Sequence, residues 1–236
     1  MLSSDLREAG RNGFPIFIGY FPAAVAFGLL AKTSGADLLE AFLFSACVFA
    51  GASQFIALNL LVTGVGTAGI LLTTLLVNFR HFLMGAALST RIQGLSTRLY
   101  ALVAFGVTDE VFSVLSFHPG KLNTPFVLGV EFIAYSGWVS GTLAGYLMGG
   151  FMPEVLTQSM GVALYALLLA ILMPELKSSL RSLCLALGSG ALNTLLIYLD
   201  ILPKGWTIIV CILVVATAGA LLAIKYPAEK QEVAHG

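Results

Sequence analysis

The sequence predicts an all-α, polytopic integral membrane protein of about eight transmembrane segments, with seven as the alternative count. Three observations predict it. The chain of 236 residues is 58% apolar and only 10% charged, with a mean hydropathy of +0.95, whereas an ordinary soluble domain is roughly 25% charged. Apolar stretches of about 20 residues, enough to cross ~30 Å of hydrocarbon at 1.5 Å per residue, recur along nearly its whole length. Three consecutive stretches carry their polar residues at the middle: Gly51-Ala52-Ser53-Gln54, Asn78-Phe79-Arg80-His81 and Thr108-Asp109-Glu110. A charge at that depth costs at least ~2.5–3.5 kcal/mol, so these residues are paired, hydrated or functional.

The elements follow in order within one membrane domain, 1–236. Residues 1–12 are polar and suit a short interfacial helix; 14–224 form the transmembrane bundle; 225–236 form a polar tail. The expected spans are 14–32, 40–63, 66–89, 97–118, 124–150, 159–174, 181–199 and 205–224. The first follows Arg7 and Arg11 and is read as an uncleaved membrane segment. It contains Pro15, Gly19, Pro22 and Gly28. Pro22 leaves a carbonyl one turn earlier unpaired, and lipid tolerates that only where protein or a wet cavity satisfies it. Gly19, Pro22 and Gly28 are therefore assigned to a broken helix at a gate, a plain proline kink being the alternative. The fifth span repeats glycine every four residues at Gly137, Gly141, Gly145 and Gly149, with Gly129 on the same row. Such a row is a groove of bare backbone where another helix packs closely. The sixth span is short and bounded by Pro153 and Pro174. Segments one and five echo one another around Gly28 and Gly145, which suits two related halves.

Several function classes are excluded. The formal net charge is zero and no basic patch marks a nucleic-acid surface. Cys47, Cys184 and Cys211 sit singly inside apolar spans, without metal-ligand spacing. No His-Glu-x-x-His or Gly-x-Ser-x-Gly motif is present. No enzyme, metal or cofactor is expected. With eight spans both tails share a side. Counting Lys and Arg then puts seven inside and four outside, with Arg91 and Arg98 against the assignment of both tails to the cytoplasm.

The central polar residues suit one solute site. Asn78 and His81 share a helical face, and Arg80 points about 200° away from Asn78 at ~100° per residue. Asp109 and Glu110 diverge by about 100°, and Gly106 lets something bulky approach on the Glu110 side. The economical arrangement pairs Arg80 with one acid and leaves the other free to titrate. An amino acid needs a cation or donors for its carboxylate, acceptors for its ammonium and a greasy pocket for an apolar side chain. Gly51, Ser53, Gln54, Asn78, Arg80 and His81 are the candidate binding residues, and Asp109 and Glu110 the candidate proton carrier or charge pair. Arg80 as structural glue, and Ser53, Gln54, His81 and Asn193 as interhelical hydrogen-bond partners, are the alternatives.

At these residues the chain resembles the AzlC-type branched-chain amino acid permeases, the large subunit of the LIV-E exporters. The resemblance rests on Gly13-Phe14-Pro15, Gly19-Tyr20-Phe21-Pro22, Ala26-Phe27-Gly28, Phe49 to Phe55, Asn78-Phe79-Arg80-His81 and Thr108-Asp109-Glu110. It implies a secondary transporter exporting hydrophobic amino acids across a bacterial cytoplasmic membrane, with a small AzlD-type membrane partner. A homo-oligomer is also compatible. A channel or carrier for another small solute, and a non-transporting assembly subunit, are the competing readings.

Overall fold

The computed structural model describes residues 2–92, 95–120, 122–149, 180–199 and 206–225, and the single positions 169, 173, 176 and 202. Every regular element among them is helical. The expected sixth span, 159–174, lies almost wholly outside the described residues.

Helix α1 spans Leu2–Thr33 and contains both Pro15 and Pro22. Neither a separate interfacial helix over 1–12 nor a break at Gly19, Pro22 and Gly28 is present. Those two expectations are corrected: a proline removes one backbone bond, and here a neighbouring helix supports α1 on both sides of it. That neighbour is α7, Thr124–Met148. Ala9 meets Gly129, Phe17 meets Gly137, Phe21 meets Gly141 and Val25 meets Gly145, a constant offset of 120 residues. The two helices therefore run parallel. The fit excludes side chains. A Cβ on Gly141 would stand 2.6 Å from the Phe21 carbonyl oxygen, and one on Gly28 or Gly145 would overlap the partner's backbone. The glycine row is thus the seat of α1, with Gly28 against Thr142 and Gly145 against Val25.

After α1 the chain turns at Gly35, which holds a positive φ of 88°. Asp37 then starts α2 (Leu38–Cys47) with a capping box: its carboxylate accepts from Glu40 N at 2.7 Å, and its N–H donates to Glu40 at 2.8 Å. The helix stops at Cys47 and restarts as α3, Gly51–Val62. The two arms hold ten and twelve residues, about 15 and 18 Å, each roughly half a hydrocarbon core. The α2 arm descends along α7, with the Tyr146 hydroxyl donating to Ala36 O, the Ser45 and Thr142 hydroxyls paired at 2.8 Å, and the Tyr135 hydroxyl donating to Ala46 O. The α3 arm climbs back. Gly51 lies against Trp138, Phe55 against Phe27, and Leu58, Leu61 and Val62 share one groove with Ala31, Ser34 and Gly35 at the end of α1. Residues 38–62 therefore enter and leave at the same end of the α1–α7 pair. The expected crossing over 40–63 is a re-entrant hairpin.

Helix α4 (Thr67–Ser89) runs the other way, its stripe of Leu71, Leu75, Phe79, Phe82 and Leu83 facing outward as lipid demands. A second hairpin follows: α5 (Thr97–Gly106) and α6 (Asp109–Phe117), bent by 115° between them. Both of its ends lie by the start of α1. The Tyr100 hydroxyl donates to Ile92 O at 2.9 Å, Arg91 donates to the carbonyls of Leu115, Ser116 and His118, and His118 lies 3.9 Å from Glu8. The expected crossing over 97–118 is therefore also corrected to a re-entrant hairpin. Parity agrees: α4 alone reverses the chain between α1 and α7, which is what their parallel packing requires. A long helix followed by a hairpin thus occurs twice, as α1–α3 and α4–α6, in opposite orientations. Helices α8 (Leu180–Leu199) and α9 (Trp206–Lys225) pack together, and α9 also touches α4.

Candidate functional site

Each hairpin turns at one of the polar clusters, and the two elbows meet on one cavity of about 390 Å³. That is within the ~300–1,000 Å³ typical of small-ligand sites. One wall is the start of α3, where Phe49, Ala50, Gly51 and Ala52 line the space. Ala50 provides no side-chain cap, so the first-turn N–H groups have no side-chain acceptor. Opposite lies the start of α6. Thr108 caps it, accepting from Val111 N at 3.3 Å, and Asp109 and Glu110 occupy its first turn. Acids there are favoured by the helix dipole.

Arg80 of α4 reaches into the same space. Its Nη1 lies 3.0 Å from Asp109 Oδ2, with side chains 38% and 44% exposed. The buried Nε has no partner among the described residues. Arginine offers five N–H donors, so this single contact leaves donors for a carboxylate. Glu110 is held differently. The Tyr20 hydroxyl from α1 bonds both Glu110 Oε2 and Thr108 Oγ1. One hydroxyl proton serves one acceptor, so donation to Glu110 leaves the Tyr20 oxygen to accept from Thr108. The apolar wall comes from Pro15, Ile16, Ala23, Phe49 and Trp138, with Tyr20 edge-on to Phe49 and Trp138.

The family model for the AzlC protein matches residues 15–152. The chain belongs to the AzlC family. The match runs from Pro15 within α1 through α7 and takes in both elbows. It is 38% identical over 146 residues to the inner membrane protein YgaZ of Escherichia coli, covering 60% of each chain. A membrane protein of Archaeoglobus fulgidus is 39% identical over 140 residues, 59% of this chain and 61% of that one. The branched-chain amino acid transport protein AzlC of Bacillus subtilis is 28% identical over 145 residues, 58% of this chain and 57% of that one. The chain thus spans about three fifths of the length of these relatives. No solved structure matches it.

In this AzlC-family chain the predicted residues divide. Gly19, Gly51, Arg80, His81, Asp109 and Glu110 stand on the cavity wall; Ser53, Gln54, Asn78, Pro22 and Gly28 do not. Ser53 is 1% exposed and donates to Ala50 O at 2.9 Å. Gln54 is 0% exposed. Its amide donates to Phe44 O and Val48 O, and its oxygen accepts from Trp138 Nε1 at 2.8 Å. Gln54 therefore completes the broken backbone, with both amide N–H groups used and its side chain fully buried off the cavity wall. A binding role for Ser53 and Gln54 is corrected to a structural one. Asn78 Oδ1 is buried without a partner among the described residues, away from the cavity. Nor is either acid of the second elbow left free, since Asp109 holds Arg80 and Glu110 holds Tyr20. The bulky neighbour at Gly106 is Glu131 of α7, 2.5 Å from where a Cβ would stand. Tyr20 stands in the Gly19-Tyr20-Phe21-Pro22 motif and Trp138 in the glycine-row helix, but sequence reasoning assigns neither a role. The usable signal was a buried phenol and indole, each of which needs a polar partner.

Proposed function

We propose that this protein is a secondary transporter that exports branched-chain or other hydrophobic amino acids across the bacterial cytoplasmic membrane, coupled to protons. One observation carries the reading: a single cavity presents an uncapped helix start, an arginine with spare donors, two carboxylates and an apolar wall. A zwitterion fits this set. Its carboxylate would lie toward Gly51 and Arg80, its ammonium toward Asp109 and Glu110, and its side chain among Ile16, Phe49 and Trp138. Half-helix ends at mid-membrane serve substrate groups in this way in transporters generally. The Bacillus subtilis relative, a branched-chain amino acid transport protein, supports the substrate class, and an AzlD-type small membrane partner is part of the proposal. Labelled leucine counterflow in proteoliposomes, with and without that partner, is the test. Saturable counterflow, with valine and isoleucine competing and glutamate and lysine not, is expected. Flux without counterflow would make the protein a channel, and competition by charged amino acids would overturn the substrate class.

Orientation belongs to the same proposal. Arg7, Arg11, Arg91 and Arg98 stand at the end of the bundle where α1 begins, and Lys32 at the other. The positive-inside rule then places the start of α1 in the cytoplasm. In a cysteine-free background, a cysteine at Ser34 is expected to react with an impermeant maleimide on intact cells, and one at Arg98 only after lysis. The reverse pattern would invert the orientation, and labelling of both on intact cells would remove the first hairpin, since residues 38–62 would then cross.

A further inference from the structure

The cavity's acids are both engaged, yet a third carboxyl inside the bundle is not. Glu131 of α7 is 4% exposed, and no hydrogen bond or ion pair reaches it among the described residues; its Oε1 is buried and unpartnered. It lines a second cavity of about 370 Å³ with Leu102, Phe105, Gly106, Leu128, Phe132 and Tyr135. Leu102, Phe105 and Phe132 are exposed, so this niche opens on the lipid-facing side. It is separate from the polar cavity. Phe49, Phe105 and Tyr135 pack together between the two, Tyr135 T-shaped against both phenylalanines, with centroids 5.4–6.5 Å apart.

We propose that Glu131 is the group that carries the coupling proton of the transport cycle. This deepens the carrier reading and rests on it. A lone carboxyl in an apolar niche is stable neutral and costly charged. From α5, only Leu102, Phe105 and Gly106 face it. On α7 the one other titratable neighbour is Tyr135, whose hydroxyl is committed to Ala46 O. From α1, Ala9 packs at Gly129, and Glu8 lies near His118. From α6, Asp109 and Glu110 face the other cavity. No cation among these groups stands ready to hold the charge once it forms. The carboxyl is also placed to be felt at the polar cavity. It lies against Gly106, two residues before Thr108, where α5 turns into α6. Losing a proton to water draws solvent or a donor toward Glu131 and displaces Gly106. That shift moves the elbow carrying Asp109 and Glu110. Regaining a proton from the other side closes the niche, so one proton is taken up and one released per cycle.

The test uses the full-length protein in proteoliposomes, with two transport readouts and one chemical readout. Glu131→Gln is expected to keep leucine counterflow at equal pH within about twofold and to lose pH-gradient-driven accumulation by at least tenfold. Glu131→Asp is expected to accumulate leucine with a displaced pH profile. In the unmodified protein, dicyclohexylcarbodiimide, which adds to protonated carboxyls from the lipid phase, is expected to label Glu131 at low pH and progressively less as pH rises. Gradient-driven accumulation by Glu131→Gln at the wild-type level overturns the proposal. So does an unlabelled Glu131 at every pH, a readout that needs neither variant to fold. Labelling that follows pH in a protein without leucine counterflow would instead uphold a proton-binding Glu131 and overturn the amino-acid reading.

Discussion

Replacing Arg80 with alanine is expected to reduce saturable leucine flux at least a hundredfold, with the protein still assembled in the membrane. Arg80 is the only lysine or arginine on the cavity wall among the described residues, and it offers more N–H donors than Asp109 accepts. Its loss removes the fixed partner for a carboxylate. It also leaves Asp109 without its ion pair, which confuses the single variant, since stranding one member of a pair is costly in itself. Arg80→Ala with Asp109→Ala separates the two effects. If the pair is only glue, the doubly neutral protein regains flux. If either residue holds cargo, the double variant folds as well as wild type and still transports nothing. Arg80→Lys is expected to recover only a small part of the flux, because an ammonium cannot reproduce the planar fork. Wild-type flux in the double variant would remove Arg80 from the binding site.

The largest effect on the fold is expected at Gln54. Leucine has nearly its volume and none of its bonds. Gln54→Leu strips the second hydrogen bond from Phe44 O and Val48 O and orphans the Trp138 indole N–H. An orphaned buried donor costs about 1–3 kcal/mol and each lost bond about 0.5–1.5 kcal/mol, so a loss of about 3 kcal/mol is expected. No water stands by in hydrocarbon to replace these bonds. Gln54→Glu should be no better, because a carboxylate cannot donate to the two carbonyls. The measurement is the thermal unfolding midpoint in detergent, which should fall by several degrees for both variants. A midpoint within a degree of wild type for Gln54→Leu would show that the first elbow is held by something else.

Much of this was legible in the sequence, and its limits have a physical source. Apolar length announced a membrane protein, and the clusters at Gly51, Arg80 and Asp109 marked the polar site. The topology was misread at two of the three. Two half-membrane arms of nine to twelve residues add up to the length of one crossing, so hydropathy alone gives a hairpin and a span the same profile. One overlooked signal could have separated them. Thr108 followed by Asp109 and Glu110 is the pattern of a helix start, a capping residue before acids that suit the positive end. A helix start in the middle of a supposed span is an elbow. Pro22 misled in the other direction, because a break that would be severe in an isolated helix is held within α1 by its packing against α7.

Composition and periodicity by themselves determined that this chain is an all-helical membrane protein, that charged groups sit deep within it, and that Gly137, Gly141, Gly145 and Gly149 form one close-packing face. These follow from local rules: what lipid excludes, and which residues share a side of a helix. Only the tertiary structure decided that α1 occupies the glycine face in parallel, that the two hairpins enter from opposite ends, that Gln54 secures a backbone break while Arg80 faces a cavity, and that Glu131 stands without a partner. Those facts depend on which groups distant in the chain meet. A polar residue's role in hydrocarbon is set by whether its hydrogen bonds are already taken.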